Sequence, residues 1–295
     1  MEYLGCDKIS EIVNMGQPPV TELIKLEIDG AGAHLCISRE DKLNALNPQL
    51  IDEFTQLLDW TSARSVGKQE RLMDDSGNLF LRILIISGAG KHFCAGADIN
   101  MMRDGGAKTV EENRADSEKL DRLFNGLWSH PCFTIGAAQG VALGGGAGLL
   151  ACMDHVIATR DTRIALSEGK LGILPAVIGP YVYRRVGSAC FRRLAMQASR
   201  IESEEALRIG MIEQIVPTID DLPSAVDKLV SEIMTTGPMA VFRSKELSLR
   251  FDALDVELRE WTLDKTSEMR GSIEGQEGLS SFLEGRKPNW HPRSE

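Results

Sequence analysis

Two apolar runs that each pass straight into glycine constrain this chain more than any other feature of its sequence. The first, Leu81 to Ser87 (LRILIIS), is mostly apolar and β-branched and ends at Gly88; such a run suits a strand covered on both faces. The second starts at Cys132, where CFTIGAAQG leads into a glycine turn and then an apolar helix of small residues, and HVIAT at His155 to Thr159 supplies the next strand. Strands alternating with helices build βαβ units around a largely parallel sheet, so an α/β fold is expected.

The rest of the chain extends this pattern at both ends. Leu23 to Ile28 and His34 to Ser38, separated by Gly30 and Gly32, predict a hairpin. From Pro48, the residues Leu50, Ile51, Phe54, Leu57 and Leu58 recur at helical spacing as far as about Trp60. The polar stretch Thr61 to Asn78 reads as an exposed loop. Beyond Ile215 the pattern is helical, with candidates at Leu222 to Met234, Met239 to Phe251, Leu254 to Met269 and Ser272 to Phe282, before a polar tail from Arg286 to Glu295 that carries Trp290. The expected organisation is a core over 20–215 and a helical region over 216–290.

Composition removes several classes of function. A chain of 295 residues that is 43% hydrophobic can bury a substantial core. A net charge of -10 and a pI near 5.2 argue against a nucleic-acid partner or an anionic membrane, both of which call for a basic surface. An anionic ligand would need a local basic patch. The six cysteines (Cys6, Cys36, Cys94, Cys132, Cys152 and Cys190) form no closely spaced pair, and the five histidines are scattered, so no metal site is predicted. Glu2, Asp7 and Glu11 interrupt the N-terminus, and the small-apolar run Val141 to Met153 is too short to span a bilayer, which leaves the cytoplasm as the expected location.

Two segments carry chemistry. In Ser87 to Asn100 (SGAGKHFCAGADIN) small residues let the backbone approach a ligand closely, although an ordinary tight turn would look the same. In Gly140 to Asp154 (GVALGGGAGLLACMD) three successive glycines open a helix, whose free N–H groups suit an anion or a developing oxyanion; close helix packing is the alternative. The second segment lacks the GxxxxGK(S/T) spacing of a phosphate loop, and the first-βα-turn position of a dinucleotide fingerprint is unoccupied.

Taken in this order and separation, the pair resembles the crotonase (enoyl-CoA hydratase/isomerase) superfamily. KLNALN at Lys42 to Asn47, HFCAGADI at His92 to Ile99, GVALGGG at Gly140 to Gly146, Asp154, SEGKLGILP at Ser167 to Pro175, RIESEEALRIGMIEQIV at Arg200 to Val216 and FLEGRKPNW at Phe282 to Trp290 all look like blocks of that family. The likeness spans Leu23 to Trp290. It implies a ββα spiral core with a C-terminal helical trimerisation region, an acyl-CoA thioester as substrate, a homotrimer or hexamer, and no cofactor beyond the coenzyme A of the substrate.

Carried over by position, the resemblance makes the backbone N–H groups of Ala97 and Gly145 an oxyanion hole for the thioester carbonyl. It places the CoA and acyl groups near Lys42, Ala45, Ala95, Asp98, Ile99, Gly144 and Gly148. Glu168 in SEGKLG becomes the acid/base, whereas the position of the other glutamate of simple enoyl-CoA hydratases holds Gly148. A single carboxylate suits a double-bond isomerase. The glycine swap, together with LGILPAVIGPYVYRRVG at Leu171 to Gly187, instead resembles the alkylglutaconyl-CoA hydratases of leucine and acyclic-terpene degradation. Arg184 and Arg185 in that block either meet a substrate carboxylate or simply cap a helix and face water. Arg39 and Lys42 are candidates for the CoA phosphates, with Lys91 and Arg103 behind them. Thioester hydrolysis, decarboxylation and binding without turnover stay open at this point.

Overall fold

The computed structural model describes residues 16–251 and 256–286. Strands β1 (Ile24–Asp29) and β2 (Gly32–Ile37) form the expected hairpin, with Gly30 at φ +55° in the turn. β2 then pairs in parallel with β3 (Ile83–Gly88), β3 with β4 (Phe133–Ala138), β4 with β6 (His155–Thr159) and β6 with β9 (Gln214–Val216). A smaller sheet stands beside this one: β5 (Val141–Leu143) runs parallel to β7 (Arg163–Ala165), and β8 (Ile201–Glu202) pairs antiparallel to β7.

The continuous apolar runs follow from burial on both sheet faces. Leu84 and Ile86 point into the main core with Leu35, Phe54 and Phe124, while Ile83, Ile135 and Ile157 face Leu222 and Val226 of α8 (Leu222–Met234) on the other side. On the main-core side, α1 (Pro48–Ala63) begins where the Asn47 side chain accepts the Leu50 N–H and Pro48 needs no donor partner. It buries Leu50, Ile51, Phe54, Leu57 and Leu58 against the core and lies along α4 (Val110–Trp128). α4 is absent from the elements expected from sequence. A reciprocal capping box between Thr109 and Glu112 starts it, and Leu120, Leu123, Phe124 and Leu127 form its inner face.

The segment Thr61 to Asn78 is not the loop expected. α1 runs on to Ala63, and a short helix, α2 (Val66–Gln69), buries Val66 and Gly67 so tightly that a β-carbon at Gly67 would lie 2.5 Å from the Phe242 ring of α9 (Pro238–Phe251). Polar side chains hide this from the sequence because they are satisfied internally. Buried Thr61 donates to the Leu57 carbonyl and meets His130 Nε2 at 3.0 Å, and Ser65 caps α2. Only the stretch from about Glu70 to Leu79 is mainly exposed.

The remaining helices are α3 (Ile99–Asp104), α5 (Gly145–Ala151), α6 (Gly179–Gln197), α7 (Ser203–Arg208), α10 (Val256–Gly271) and α11 (Ile273–Leu283). The four helices after β9 fall within two residues of their expected limits wherever these are described. α10 packs on α4 and α11 packs on α3 and on the turn Ser167–Leu171, which carries Glu168. Leu254, Trp290 and the tail beyond Arg286 lie outside the described residues. No helix among the described residues is long and apolar enough to cross a membrane.

Candidate active site

Backbone hydrogen bonds stitch the two glycine-rich segments together. The Cys94 N–H donates to the Val141 carbonyl at 3.1 Å and the Leu143 N–H to the Cys94 carbonyl at 3.0 Å, while Leu46 exchanges two bonds with Gly96 and Asp98. Glycine is required where the segments cross. Gly96 sits at φ +93°, and a β-carbon on it would lie 2.6 Å from the Leu143 carbonyl oxygen. Gly146 leaves no room either, since its β-carbon would meet the Cys94 carbonyl oxygen at 2.2 Å.

Two backbone donors result. Gly145 is the first residue of α5, so its N–H has no acceptor within the helix, and the helix dipole adds positive potential there. A β-carbon on Gly145 would lie 3.7 Å from the Ala97 nitrogen, which places the two amides side by side. Gly144, at φ +48°, turns the chain into α5 and brings its α-carbon close beneath Glu168, whose Oε1 would be 3.0 Å from a β-carbon there.

Glu168 stands on the short 3-10 turn Ser167–Leu171 between β7 and α6. The Ile173 N–H bonds its carbonyl, and Gly278 of α11 packs so closely on Leu171 that a β-carbon would be 2.2 Å from the Leu171 carbonyl oxygen. Glu168 is half-buried as a residue, but its Oε2 is shielded from solvent and has no hydrogen-bond partner among the described residues. Burial pushes its pKa up to about 7 from an ordinary 4.5, only partly opposed by its own backbone N–H. The folded state therefore holds this proton between pH 4.5 and 7 where the unfolded chain has released it. Stability falls as pH rises through that window, by about 3 kcal/mol in all. Glu168→Gln is accordingly expected to raise the melting temperature at pH 8 and to change it little at pH 5. An equal change at both pH values would show that no buried charge is relieved.

Around these groups opens a cleft of about 580 Å³. Of the residues expected at the site, Lys42, Ala45, Ala95, Ala97, Asp98, Ile99, Gly144, Gly145 and Glu168 all line it. Lys170 and Arg200 join Lys42 at its walls as the local basic patch an anionic ligand needs on so acidic a chain, whereas Arg286, also at the wall, is bound to Glu277 and Glu284. Beyond Glu168, Ala97 and Gly145 the cleft continues into a narrower apolar chamber of about 60 Å³, walled by Leu46, Met102, Leu120 and the stretch Ile173–Ile178, with Thr266 and Arg270 from α10. Nothing local in the sequence marks these two α10 residues.

Several candidates are engaged elsewhere. Arg39 bonds Asp98 Oδ2 at 2.8 Å and the Ala45 carbonyl at 2.9 Å, so it braces the cleft wall instead of facing a phosphate. Burial raises the Asp98 pKa, but the bonds from Arg39 and the Asn100 N–H outweigh it and leave the carboxyl below its ordinary value. Arg185 neither faces water nor meets the cleft: it is bidentate to Glu213 and donates to the Met153 and Met211 carbonyls. Arg184, Lys91 and Arg103 do not line the cleft or the chamber, and Arg103 pairs with Asp104.

Gly148 also stands outside the cleft lining, buried in α5. A β-carbon there would lie 2.4 Å from Ile178 Cγ2 and 3.1 Å from the Phe124 ring. The glycine and the PAVIGPY stretch are therefore physically coupled, because Ile178 fills the volume that a glutamate at 148 would enter. Gly148→Ala is expected to cost about 1–3 kcal/mol through overpacking. Thermal melts of Gly148→Ala, Ile178→Ala and the double variant check this; strictly additive losses would disprove the coupling.

Comparison with known proteins agrees with this geometry. The family model for enoyl-CoA hydratase/isomerase matches residues 28–293. A crotonyl-CoA hydratase from Syntrophomonas wolfei is 33% identical over 91% of this chain and 98% of its own length, and a short-chain-enoyl-CoA hydratase from Clostridium acetobutylicum is 30% identical over 89% and 95%. Among solved structures, an enoyl-CoA hydratase from Shewanella pealeana superposes with a TM-score of 0.70 at 34% identity, covering 91% of this chain and 96% of that one. With a hairpin leading into a parallel sheet, crossed glycine-rich turns and helices folded back over the site, the chain has the crotonase fold and belongs to the enoyl-CoA hydratase/isomerase family of enzymes.

Proposed function

We propose that this enzyme adds water across the conjugated double bond of a short branched enoyl-CoA, with a 3-alkylglutaconyl-CoA as the substrate class. The observation that carries the hydratase reading is the meeting of one buried, unpartnered carboxylate oxygen on Glu168 with two side-by-side backbone amides in an apolar chamber. The thioester carbonyl accepts from the Ala97 and Gly145 N–H groups, which favour the negative charge that reaches that oxygen as the enolate forms. Ionised Glu168 takes a proton from water as it attacks the β-carbon, and the protonated acid returns a proton to the α-carbon. A pKa near 7 leaves both forms populated at neutral pH. Lys42, Lys170 and Arg200 along the cleft meet the CoA phosphates, and coenzyme A enters only as part of the substrate.

The glutaconyl branch draws its support from Gly148 and the Leu171 to Gly187 block, and the size of the chamber favours a short acyl end. A homotrimer or hexamer is proposed on family grounds alone. One observation favours a second reading: among the described residues, Glu168 is the only acidic residue that lines the chamber, as a one-carboxylate isomerase requires. The deciding experiment follows the conjugated-thioester absorbance of 3-methylglutaconyl-CoA and of crotonyl-CoA with purified protein. Rapid loss with the first alone supports the proposal; no loss with either overturns it and leaves isomerisation, another crotonase reaction or binding without turnover.

A further inference from the structure

Among the described residues, an arginine buried in the acyl chamber pairs with no carboxylate. Arg270 is 4% exposed and lines the chamber together with Glu168. Among the described residues it forms no ion pair, and the one hydrogen bond of its guanidinium is a long 3.5 Å contact from Nη1 to Asn113 Oδ1. The one carboxylate whose charge acts on it, Asp116, is bound to Lys108 Nζ at 2.6 Å. Burial lowers the Arg270 pKa, and only Asp116 opposes this. An uncompensated buried charge is among the costlier features a fold can carry.

The cation is held in a built slot. A β-carbon on Gly105 would lie 2.6 Å from Arg270 Cδ, so that glycine makes the groove through which the side chain passes. Asn113 braces the groove by donating to the Gly105 carbonyl at 2.7 Å. Thr266, one helical turn before Arg270 on α10, faces the same chamber, and the rest of the wall is almost wholly apolar. A ligand group that enters past the two amides and Glu168 thus enters a chamber whose wall includes the buried Arg270.

We infer that Arg270 binds a carboxylate at the end of the acyl group remote from the thioester, which makes the substrates monothioesters of short dicarboxylic acids. This deepens the hydratase reading above and rests on it for the direction in which the acyl group enters. A planar guanidinium matches a carboxylate through two parallel bonds, and burial strengthens them. Arg270 selects the substrate and takes no part in proton transfer.

Calorimetric binding of glutaryl-CoA and butyryl-CoA, which have no double bond to hydrate, tests the inference without turnover. The unaltered enzyme is expected to bind glutaryl-CoA at least about 10-fold more tightly, and Arg270→Met to weaken glutaryl-CoA by about 10- to 100-fold while changing butyryl-CoA less than about 3-fold. Arg270→Lys is expected to fall between. Equal affinity of the unaltered enzyme for both esters overturns the inference, as does equal weakening of both by Arg270→Met. If Arg270→Met does not fold, the neutral terminal amide of glutaryl-CoA replaces the variant: it must bind at least about 10-fold more weakly than the acid, and equal binding is fatal to the inference. A glutaryl preference with no hydration of 3-methylglutaconyl-CoA leaves the carboxylate site standing and sinks the hydratase assignment instead.

Discussion

Glu168→Gln is expected to lower turnover by about two to four orders of magnitude while leaving acyl-CoA affinity nearly intact. The amide keeps the size and polarity of the carboxyl inside the chamber but can neither accept a proton from water nor return one. Because burial holds the acid near pH 7, the pH profile also identifies the group. If hydration starts from the ionised form, kcat/KM of the unaltered enzyme rises through about pH 7 and levels off above it. That limb is expected to vanish in Glu168→Gln, whose residual rate stays flat over the same range. Steady-state rates from pH 5.5 to about 8.5, with CoA-ester affinity measured in parallel, check both expectations. Undiminished turnover in the variant, or a limb near pH 7 that persists without the carboxyl, would remove Glu168 from the chemistry.

The second large effect is expected at Gly145. Its φ is not in the left-handed region, so a side chain there does not strain the backbone, in contrast to Gly96 and Gly144. A β-carbon would sit 3.0 Å from the terminal Cδ1 of Leu46 and 3.7 Å from the Ala97 nitrogen, at the mouth of the paired amides. Gly145→Val is therefore expected to fold, with a melting temperature close to that of the unaltered protein, yet to hold the thioester oxygen away from both donors. One such donor is worth about 10²–10³ in rate, and losing the use of both should cost at least about 10³. Acyl-CoA binding falls with it, because the carbonyl can no longer seat. Full activity in a well-folded Gly145→Val enzyme would show that the oxyanion is stabilised elsewhere. Gly146 is unsuitable for this experiment, since its β-carbon would collide with the Cys94 carbonyl and disturb the crossing itself.

The strands were legible because burial on both sheet faces writes an unbroken apolar run, as in Ile83–Gly88, and His155–Thr159 begins and ends where HVIAT does. The terminal helices were legible for a related reason: α8 presents Leu222 and Val226 to the sheet at helical spacing. The stretch from Thr61 to Gln69 was misread because Thr61 and Ser65 satisfy their hydroxyls against nearby backbone, which hides a docked segment behind polar residues. The glycines of the crossing were visible as letters, but their necessity lies in carbonyl oxygens brought 2.2–2.6 Å from the missing β-carbons. Arginine shows the limit most plainly. Arg184 and Arg185 stood in the informative block, yet Arg185 is spent on Glu213, whereas Arg270, in an unremarked stretch of α10, lines the chamber with Glu168. Patterning, turns and helix limits depend on neighbours in the chain and can be read from it. That Glu168 and Arg270 line one chamber depends on α10 packing against α4 and α11 against the Glu168 turn, and contacts between segments so distant in sequence leave no periodicity to read.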